Sequence, residues 1–526
     1  MKRYFLYSLI LITLIFIRLK LDQKDLFITS DGQIKLYQSY GHLLQGFDSY
    51  ECYYPAKELD PEFKLNIFEY PFAFFEKFKK SKCVFQYPPL FSIMGTIVAK
   101  LFGLNSIIYI PILFYFLCIL FFDYILIESG ISKNIATLFS FFSFTVCIFP
   151  LTILDFSEMS FYNLFILISL YLLNQLIKAK TRINKVKIGF VLGASLIFTF
   201  FIRSEIILLS LLIGVLYIYY FYKDQDLFFY SLSLLSGAIF VLTIFILFNI
   251  WSVEFPLGMR TFTVLNDTTN TSRSGLIYHI KIAKAFLWGD EEMVGITKAF
   301  PFWLIGFIFL APKFFKSYSK FIQILLISGI FYILIGSFTT PTRGGVQNFG
   351  LRYLETGLIP LLIALAFAID LFFKDKSKKI QVYLSIFLLS LLYPSYKFVQ
   401  IGIKTLLINS TYYHIMMEKF SKVGDSYIIH DSINSQYLVG TSHLKQKHIY
   451  IPNDDEMQKI ELKLYDLNVQ KFMIIGFEGK PYVSINIPEF LYPRIYSKLN
   501  YKEKLYKKVS EEIYFNFKLS LYERID

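Results

Sequence analysis

Apolar runs of about 20 residues, the length that crosses the hydrocarbon core of a bilayer, recur along most of this chain. Eleven runs are candidates for spanning helices, near 4–20, 105–127, 131–151, 159–177, 187–203, 205–222, 227–250, 299–313, 321–338, 354–373 and 380–396. Hydrophobic residues make up 55% of the 526 residues, above the roughly 45–50% of soluble proteins. The sequence therefore predicts an α-helical polytopic membrane protein.

The basic residues lie in short loops between the apolar runs and do not follow one face of the chain. They concentrate at 2–3, 178–187, 313–320 and 374–379, and such segments mark cytoplasmic loops. The net charge of +13 is therefore read as a topology signal, and no nucleic-acid partner is predicted. No small-residue cleavage site follows the first apolar run, so we interpret it as an uncleaved helix with its N-terminus inside.

The run 88–103 is a further apolar segment, but it is short and opens with Pro88 and Pro89. An even number of crossings must separate the cytoplasmic N-terminus from the basic loop at 178–187. Four stronger runs already provide these crossings, so 88–103 is predicted to lie along the outer leaflet without spanning. The outer segments are then 21–104, 152–158, 251–298, 339–353 and the chain after about 397.

The character of the sequence changes near residue 397. Short apolar runs at 426–429, 448–451 and 471–476 alternate with polar stretches such as 455–468. The prediction is a transmembrane domain over 1–396 and a small extracytoplasmic α/β domain over 397–526, with its C-terminus outside. Cys118 and Cys147 lie in apolar runs and are expected to be packed, whereas a disulfide between Cys52 and Cys83 is left open.

Asp31 opens the first outer segment of amphipathic sequence, where the chain leaves the membrane. The apolar residues that follow it predict a helix: Ile34, Leu36, Tyr37, Tyr40, Leu43 and Leu44. Two interpretations stay open. Ser30 or Asp31 caps this helix by accepting its first N–H groups, or Asp31 is a catalytic carboxylate at the water boundary.

Acidic and basic residues also occupy the other outer segments. Asp155 and Glu158 are expected to share one face if their turn is helical. Arg203 runs against the positive-inside pattern, so it is either an ion-pair partner of Glu158 or Glu205 or a phosphate ligand.

A later outer segment, 339–353, carries two arginines and no acid. Arg343 and Arg352, the latter followed by Tyr353, are candidates for a phosphate-binding role because a guanidinium matches phosphate oxygens. The fourth outer feature is the junction at 249–258, where a spanning helix ends.

A carboxylate, cationic groups and a lipid-facing mouth together suit glycosyl transfer from a polyprenyl-phosphate sugar. The carboxylate deprotonates the acceptor hydroxyl as it attacks the anomeric carbon. Arginine stabilises the charge that develops on the departing phosphate. Asp31 is the candidate base in this hypothesis.

The order of these features resembles the GT-C superfamily of integral-membrane glycosyltransferases, with protein mannosyltransferase-like and lipid A aminoarabinose transferase-like members. The resemblance rests on the acidic first outer loop and on five short motifs in this order: Pro88-Pro89-Leu90, Ser157-Glu158, Arg203-Ser204-Glu205, Asn249 with Pro256-Leu257-Gly258, and Arg352-Tyr353. The resemblance implies an essential first-loop acid at Asp31, juxtamembrane helices and basic groups on the donor phosphate. The first loop lacks a clear acidic pair, which leaves a divalent metal requirement open.

The resemblance also implies a site on the outer side of a bacterial cytoplasmic membrane, facing the periplasm or exterior. The acceptor is a glycan, a lipid or a protein, and the sequence names neither it nor the sugar. An O-antigen ligase or polymerase is one alternative, although such enzymes usually lack an acidic loop after the first helix. A secondary transporter is another, but no internal repeat is found.

Overall fold

The computed structural model of the chain describes residues 2–22, 30–47, 50–68, 73–75, 83–259, 275–291, 293–340, 350–374, 376–478, 499, 501–502, 504–514 and 516–525. The helices are, in order, α1 (Lys2–Asp22), α2 (Ser30–Gln45), α3 (Pro89–Phe102), α4 (Ile110–Glu128), α5 (Lys133–Val146), α6 (Phe149–Thr152), α7 (Met159–Lys178), α8 (Arg182–Ile202), α9 (Ile206–Phe221), α10 (Leu227–Val253), α11 (Leu276–Trp288), α12 (Ile296–Ala299), α13 (Ile305–Phe309), α14 (Pro312–Phe315), α15 (Lys320–Thr339), α16 (Glu355–Lys374), α17 (Lys378–Ser421) and α18 (Asp454–Asp466). The strands are β1 (Ala73–Phe75), β2 (Cys83–Phe85), β3 (Tyr427–His430), β4 (Lys447–Tyr450), β5 (Lys471–Phe477), β6 (Tyr506–Tyr514) and β7 (Phe517–Arg524).

The predicted polytopic membrane fold is confirmed. Within these described ranges, eight helical segments are long and apolar enough to cross a membrane: Arg3–Leu21, Leu104–Glu128, Met159–Lys178, Arg182–Ile202, Leu227–Val253, Lys320–Thr339, Leu351–Lys374 and Lys378–Ser421. The other three predicted spans differ. The run 131–151 breaks into α5 and α6, α9 has 16 residues, and 299–313 is divided among short helices. The count of eleven spans therefore stays a prediction.

Helix α3 corresponds to the run that was predicted not to span. Its 14 residues extend about 21 Å at 1.5 Å per residue, which is less than the roughly 30 Å of a hydrocarbon core. Pro89 stands in its first turn, where a missing N–H costs no intrahelical hydrogen bond. The non-spanning helix of the first loop is thus present in the structure.

The chain divides into two compact units. The first comprises Met1–Leu19, Ile108–Phe248 and Asp267–Thr405, and the second comprises Lys20–Ile107, Asn249–Asn266 and Leu406–Asp526. The boundary predicted between 396 and 397 falls inside α17, which runs without interruption through Pro394 to Ser421. The first outer loop and the C-terminal region belong to the same unit, which the sequence did not predict.

Glycines allow very close helix packing within the first unit. A Cβ atom added at Gly193 of α8 would lie 1.9 Å from the carbonyl oxygen of Leu234, and one at Gly237 of α10 would lie 2.0 Å from that of Phe190. The backbones of α8 and α10 therefore touch, as small residues permit between membrane helices.

The second unit contains a five-stranded sheet in the order β4-β3-β5-β7-β6. Strand β3 pairs in parallel with β4 and β5, while β7 pairs antiparallel with β5 and β6. The predicted strands at 426–429, 448–451 and 471–476 and the helix at 455–468 correspond to β3, β4, β5 and α18. The hairpin of β6 and β7 completes the sheet.

Residues of the first loop share one hydrophobic core with this sheet. Ile34 and Tyr37 of α2 and Phe68 are fully buried with Ile429, Ile449 and Phe472 of the strands. The backbone N–H of Tyr450 donates to the carbonyl of Leu65 at 2.7 Å. Burying this apolar surface fixes the position of the loop on the sheet.

The cysteine pair that the sequence left open is a disulfide in the structure. Cys52 and Cys83 are bonded, with their Cα atoms 5.3 Å apart, and the bond joins β2 to the segment after α2. Cys118 and Cys147 are free and buried, as predicted.

Candidate functional site

Helix α2 is fixed against the C-terminal region by polar contacts beside its apolar face. The Tyr37 hydroxyl donates to the carbonyl of Gly440 at 2.5 Å, and Nε2 of Gln33 donates to the carbonyl of Gln436 at 3.0 Å. These buried contacts set the rotation of the helix about its axis. Asp31 lies in its first turn, where a negative charge interacts favourably with the helix dipole.

The carboxylate of Asp31 is held by a tyrosine from another part of the loop. The Tyr87 hydroxyl donates to Oδ1 of Asp31 at 2.5 Å, and Nζ of Lys35 lies 4.8 Å from the centroid of the Tyr87 ring. Lys35 is one helical turn after Asp31 and is 4% exposed. Asp31, Lys35 and Tyr87 therefore form a compact polar group, defined here as the Asp31 group.

Tyr87 follows β2 and precedes two prolines, so local sequence restricts its backbone. Pro88 is extended, with φ −56° and ψ 130°, and Pro89 begins α3. The disulfide at Cys83 tethers the strand four residues before Tyr87. Sequence reasoning missed this tyrosine, although its position directly before Pro88-Pro89 could have drawn attention to it.

A second group of candidate residues lies in the first unit, where α7, α8 and α9 meet. Arg203 Nη1 is 2.8 Å from Oε1 of Glu158, and Arg203 Nη2 is 2.5 Å from Oε1 of Glu205. These three residues, defined here as the Arg203 cluster, are largely buried, with side-chain exposures of 4%, 6% and 15%. Glu158 and Glu205, the two acids expected as alternative ion-pair partners of Arg203, both contact its guanidinium.

The pairing determines what Arg203 can do. Two carboxylates contact one guanidinium, so the cluster carries no excess of positive charge. A buried ion pair of this kind is disrupted at high cost when one partner is removed. The contacts therefore favour a positioning role for Arg203 over binding of the donor phosphate.

The turn that carries Asp155 and Glu158 differs from the sequence expectation. Helix α6 ends at Thr152 and α7 begins at Met159, so the intervening residues are not helical. Asp155 and Glu158 therefore do not share a face of one helix. The backbone N–H of Ser157 donates to the carbonyl of Asp155 at 2.8 Å in a tight turn, and both acids are buried.

Glu355 is a buried acid that sequence reasoning missed. It has no exposed surface, and its carboxylate accepts hydrogen bonds from Nδ2 of Asn163 at 2.8 Å and from the Thr152 hydroxyl at 3.4 Å. The signal was present in the sequence, because an acid at the start of an apolar span is by itself a pointer to function. Glu355 lies three residues after Arg352 and joins α16 to α7.

Arg352 and Tyr353 lie in the short helical turn Gly350–Leu354, and both are half-buried. The guanidinium carbons of Arg352 and Arg203 are 5.4 Å and 5.6 Å from the centroid of the Tyr353 ring. Tyr332 anchors this turn by donating to the carbonyls of Tyr353, at 3.2 Å, and Glu205, at 3.3 Å. The structure thus brings Arg352, Tyr353 and the Arg203 cluster together, whereas Arg343 lies outside the described residues.

The junction at 249–258 is a structural turn. Nδ2 of Asn249 donates to the carbonyl of Pro256 at 3.1 Å, and Gly258 has a φ of 77°, which favours glycine. This turn ends α10 and belongs to the second unit.

The residues fall into the two compact units. The Asp31 group belongs to the second unit, and Asp155, Arg352, Tyr353 and the Arg203 cluster belong to the first. Across the described part of the chain, no group of three or more His, Cys, Asp or Glu residues is arranged to hold a metal ion.

No protein-family model and no curated protein matches the sequence. Solved structures match its fold. ArnT from Cupriavidus metallidurans, crystallised with undecaprenyl phosphate, aligns over 98% of this chain and 97% of its own, with a TM-score of 0.54 and 11% identity. Its apo state aligns over 90% and 92%, with a TM-score of 0.56 and 13% identity.

The oligosaccharyltransferase of Archaeoglobus fulgidus, in complex with Zn and sulfate, is a second neighbour. It aligns over 88% of this chain and 67% of its own, with a TM-score of 0.52 and 13% identity. These likenesses are likenesses of fold, and they confirm the fold that the GT-C resemblance implied.

Proposed function

We propose that this protein is a membrane glycosyltransferase that moves a sugar from a polyprenyl-phosphate donor to an acceptor hydroxyl. One observation carries the proposal: an amphipathic helix directly after the first spanning segment presents Asp31, held by Tyr87. The fold supports it, because nearly the whole chain aligns with a transferase that was crystallised with undecaprenyl phosphate. Fold alone does not specify chemistry, so the residues must supply the argument.

Asp31 is the base in this proposal. Its carboxylate accepts the proton of the acceptor hydroxyl while that oxygen attacks the anomeric carbon of the donor. The bond between the anomeric carbon and the phosphate oxygen breaks, and the lipid phosphate leaves with the bonding electron pair. Tyr87 holds one carboxylate oxygen and so restricts the orientation of the base.

Arg352 is the proposed ligand of the departing phosphate. Arg352 is half-buried in the turn before α16, beside the Tyr353 ring that Arg203 also approaches. Arg343 stays a further candidate from the sequence, and Asp155 a candidate contact for the substrate.

The reaction is proposed to take place on the outer side of a bacterial cytoplasmic membrane. The basic loops at 178–187 and 374–379 favour that orientation. The disulfide between Cys52 and Cys83 supports an oxidising environment for the first loop. A reporter fused after Lys100 should read as external, and a cytoplasmic reading would contradict this orientation.

Mass spectrometry of envelope glycolipids and glycans, in cells with and without the protein, tests the proposed activity. We expect one product to lack a single sugar in the deletion strain, and its polyprenyl-phosphate donor to accumulate. Arg352→Ala should lower product by about tenfold and weaken undecaprenyl phosphate binding, since a charge-assisted contact is worth about 1.5–3 kcal/mol. Arg182→Ala, which removes an exposed arginine, is the matched control. Identical glycans in both strains would contradict the assignment.

A further inference from the structure

Helix α11 lies across the ends of two spanning helices of the first unit. Near its start, Nδ1 of His279 donates to the carbonyl of Phe338, in the last turn of α15, at 2.9 Å. Two turns later, the Phe286 ring meets the Tyr353 ring edge to face at 6.3 Å, just before α16 begins. The spans α15 and α16 are consecutive, so these two contacts are on the same side of the membrane. Helix α11 therefore lies at a membrane boundary.

The length of α11 agrees with this position. Its 13 residues extend about 20 Å, which is less than a hydrocarbon core of about 30 Å. Part of its surface is buried against the protein, through Ile282, Ala283, Ala285, Phe286 and Leu287. The other side, defined here as the exposed face of α11, carries Leu276, Ile277, Ile280, Lys281, Lys284 and Trp288.

The apolar residues of the exposed face adjoin a surface of α15 that faces lipid. Phe331 and Phe338 lie two turns apart on this spanning helix and are 45% and 42% exposed. Since His279 bonds to the backbone of Phe338, the exposed face of α11 begins beside that surface. Trp288, near the other end, is 57% exposed and is a residue type enriched where membranes meet water. The bilayer therefore covers this face.

Two lysines give the exposed face its charge. Lys281 and Lys284 lie between Ile280 and Trp288, and both are exposed. Neither forms an ion pair with another residue that the structure describes. The helix itself contains no acid. The exposed face thus presents two ammonium groups among apolar side chains.

The acids that follow α11 lie beyond a turn. Gly289 has a φ of 90°, which favours glycine, and its N–H closes the helix by donating to the carbonyl of Ala285. Asp290 and Glu291 come after this turn, and Oδ1 of Asp290 accepts from the backbone N–H of Met293 at 2.9 Å. The carboxylate of Asp290 is therefore engaged in the turn, outside the exposed face.

The combination of groups favours one class of partner. A soluble anion would leave the apolar side chains in water, and a lipid without net charge would leave the ammonium groups without a counter-charge. An anionic phospholipid offers acyl chains to the apolar residues and to the lysine stems, and a phosphate to the ammonium groups. The attraction of a lysine to an anionic membrane surface corresponds to about a factor of five in binding.

We propose that the exposed face of α11 binds anionic phospholipid, with Lys281 and Lys284 at the phosphate groups. The face is open and does not enclose a ligand, which suits lipid that exchanges with the bilayer over a single polyprenyl phosphate. Bound lipid holds α11 against the turn that carries Arg352 and Tyr353, through the contact of Phe286. This interaction is separate from the proposed sugar transfer.

Fluorescence quenching by brominated lipid tests the contact on the whole chain in nanodiscs. The discs contain phosphatidylcholine with a minority of phosphatidylglycerol, and only one of the two lipids carries bromine on its acyl chains. Subtracting the signal of Trp288→Phe isolates the fluorescence of Trp288 from that of Trp251 and Trp303. Quenching of Trp288 then reports which lipid lies beside α11.

The test variant combines Lys281→Gln with Lys284→Gln, which removes the charge from two exposed positions. The control combines Lys378→Gln with Lys379→Gln, which removes the same charge from exposed positions just after the opposite end of α16. We expect the test variant to lower quenching by brominated phosphatidylglycerol at least twofold, with quenching by brominated phosphatidylcholine unchanged. The control should leave both signals at the wild-type level.

Four results would overturn the inference. Quenching by brominated phosphatidylglycerol could stay unchanged in the test variant, or the control could lower it equally. Quenching by both lipids could fall together, which would mean that α11 had left the bilayer. A trace of undecaprenyl phosphate could relieve the quenching, which would assign the lysines to the polyprenyl lipid. No sugar donor or acceptor is present, so each result is independent of the proposed function.

Discussion

Tyr87 donates a hydrogen bond of 2.5 Å to Oδ1 of Asp31, although 56 residues separate them in sequence. Tyr87→Phe keeps the ring and removes this donor to a carboxylate, a contact worth about 1.5–3 kcal/mol. We expect sugar transfer by membranes to fall about tenfold or more, since each 1.4 kcal/mol of lost transition-state stabilisation is a factor of about ten. Tyr219→Phe, at a 69% exposed position, is the control. Transfer at the wild-type rate would show that the hydroxyl does not position the base.

The Arg203 cluster should matter for stability more than a surface ion pair does. Arg203→Ala leaves Glu158 and Glu205 buried without their cation, which costs about 3–5 kcal/mol for a buried pair. Arg182→Ala breaks a 2.7 Å contact with Asp226 in which the arginine is 57% exposed, and such pairs are worth about 0–1 kcal/mol. Thermal unfolding in detergent should therefore show a much larger fall in Tm for Arg203→Ala. Similar Tm values for the two variants would show that Arg203 does not compensate the buried charges of Glu158 and Glu205.

The contact between α8 and α10 depends on the absence of side chains. Gly193→Ala places a methyl group against the Leu234 carbonyl and forces the helices apart, at about 1–3 kcal/mol for overpacking. A methyl group at Gly214 of α9 would have no heavy atom of the described residues within 4 Å, apart from atoms of its own helical turns. Gly214→Ala should therefore be neutral or stabilise the protein by up to about 1 kcal/mol. The two variants should differ in sign in a Tm measurement. Equal effects would contradict the close approach.

Three fully buried histidines make the second unit sensitive to acid. Burial lowers the pKa of His430 to about 3 and that of His443 to about 4, and burial lowers the pKa of His448 well below its usual value. The unfolded chain then binds more protons than the folded chain, so stability falls as the pH drops below about 6.5. At pH 5 each of these histidines should lower the free energy of unfolding by about 2 kcal/mol relative to its value at neutral pH.

His443→Phe tests this pH dependence. The ring packs against Tyr37 and Phe68, and its Nε2 donates to the carbonyl of Tyr53 at 3.1 Å. The variant should lose about 1 kcal/mol at neutral pH from that hydrogen bond. Between pH 6.5 and pH 5, the unfolding free energy of the variant should fall less steeply than that of the wild-type protein, because the variant takes up about one proton fewer on unfolding. A slope equal to that of the wild-type protein would show that His443 does not become protonated on unfolding.

The sequence predicted the features that depend on local pattern. The length of the apolar runs indicated the spanning helices, and short apolar runs between polar stretches indicated β3, β4 and β5. The prolines at 88 and 89 marked the start of α3. The order of charged outer residues indicated a resemblance that the fold confirms.

Long-range packing was not accessible in the same way. The shared core of the first loop and the sheet joins Ile34 to Ile449, and no local pattern reports such a contact. Asp155 and Glu158 were expected to share one face only if their turn was helical, and the chain turns there without a helix, between α6 and α7. Glu355 and Tyr87 each carried a local signal, the start of an apolar span and the position before Pro88-Pro89, but their partners Asn163 and Asp31 are distant in sequence.

The Asp31→Asn variant, assayed for sugar transfer and for undecaprenyl phosphate binding in the same membranes, tests directly whether this carboxylate is the base. The amide keeps the shape of the side chain but cannot take a proton from the acceptor, and general-base catalysis contributes about 10²–10⁴-fold. We expect transfer to fall at least about a hundredfold with binding within about twofold of wild type, while Asp425→Asn, an exposed carboxylate, changes neither. Full transfer by Asp31→Asn would show that another group takes the proton of the acceptor hydroxyl.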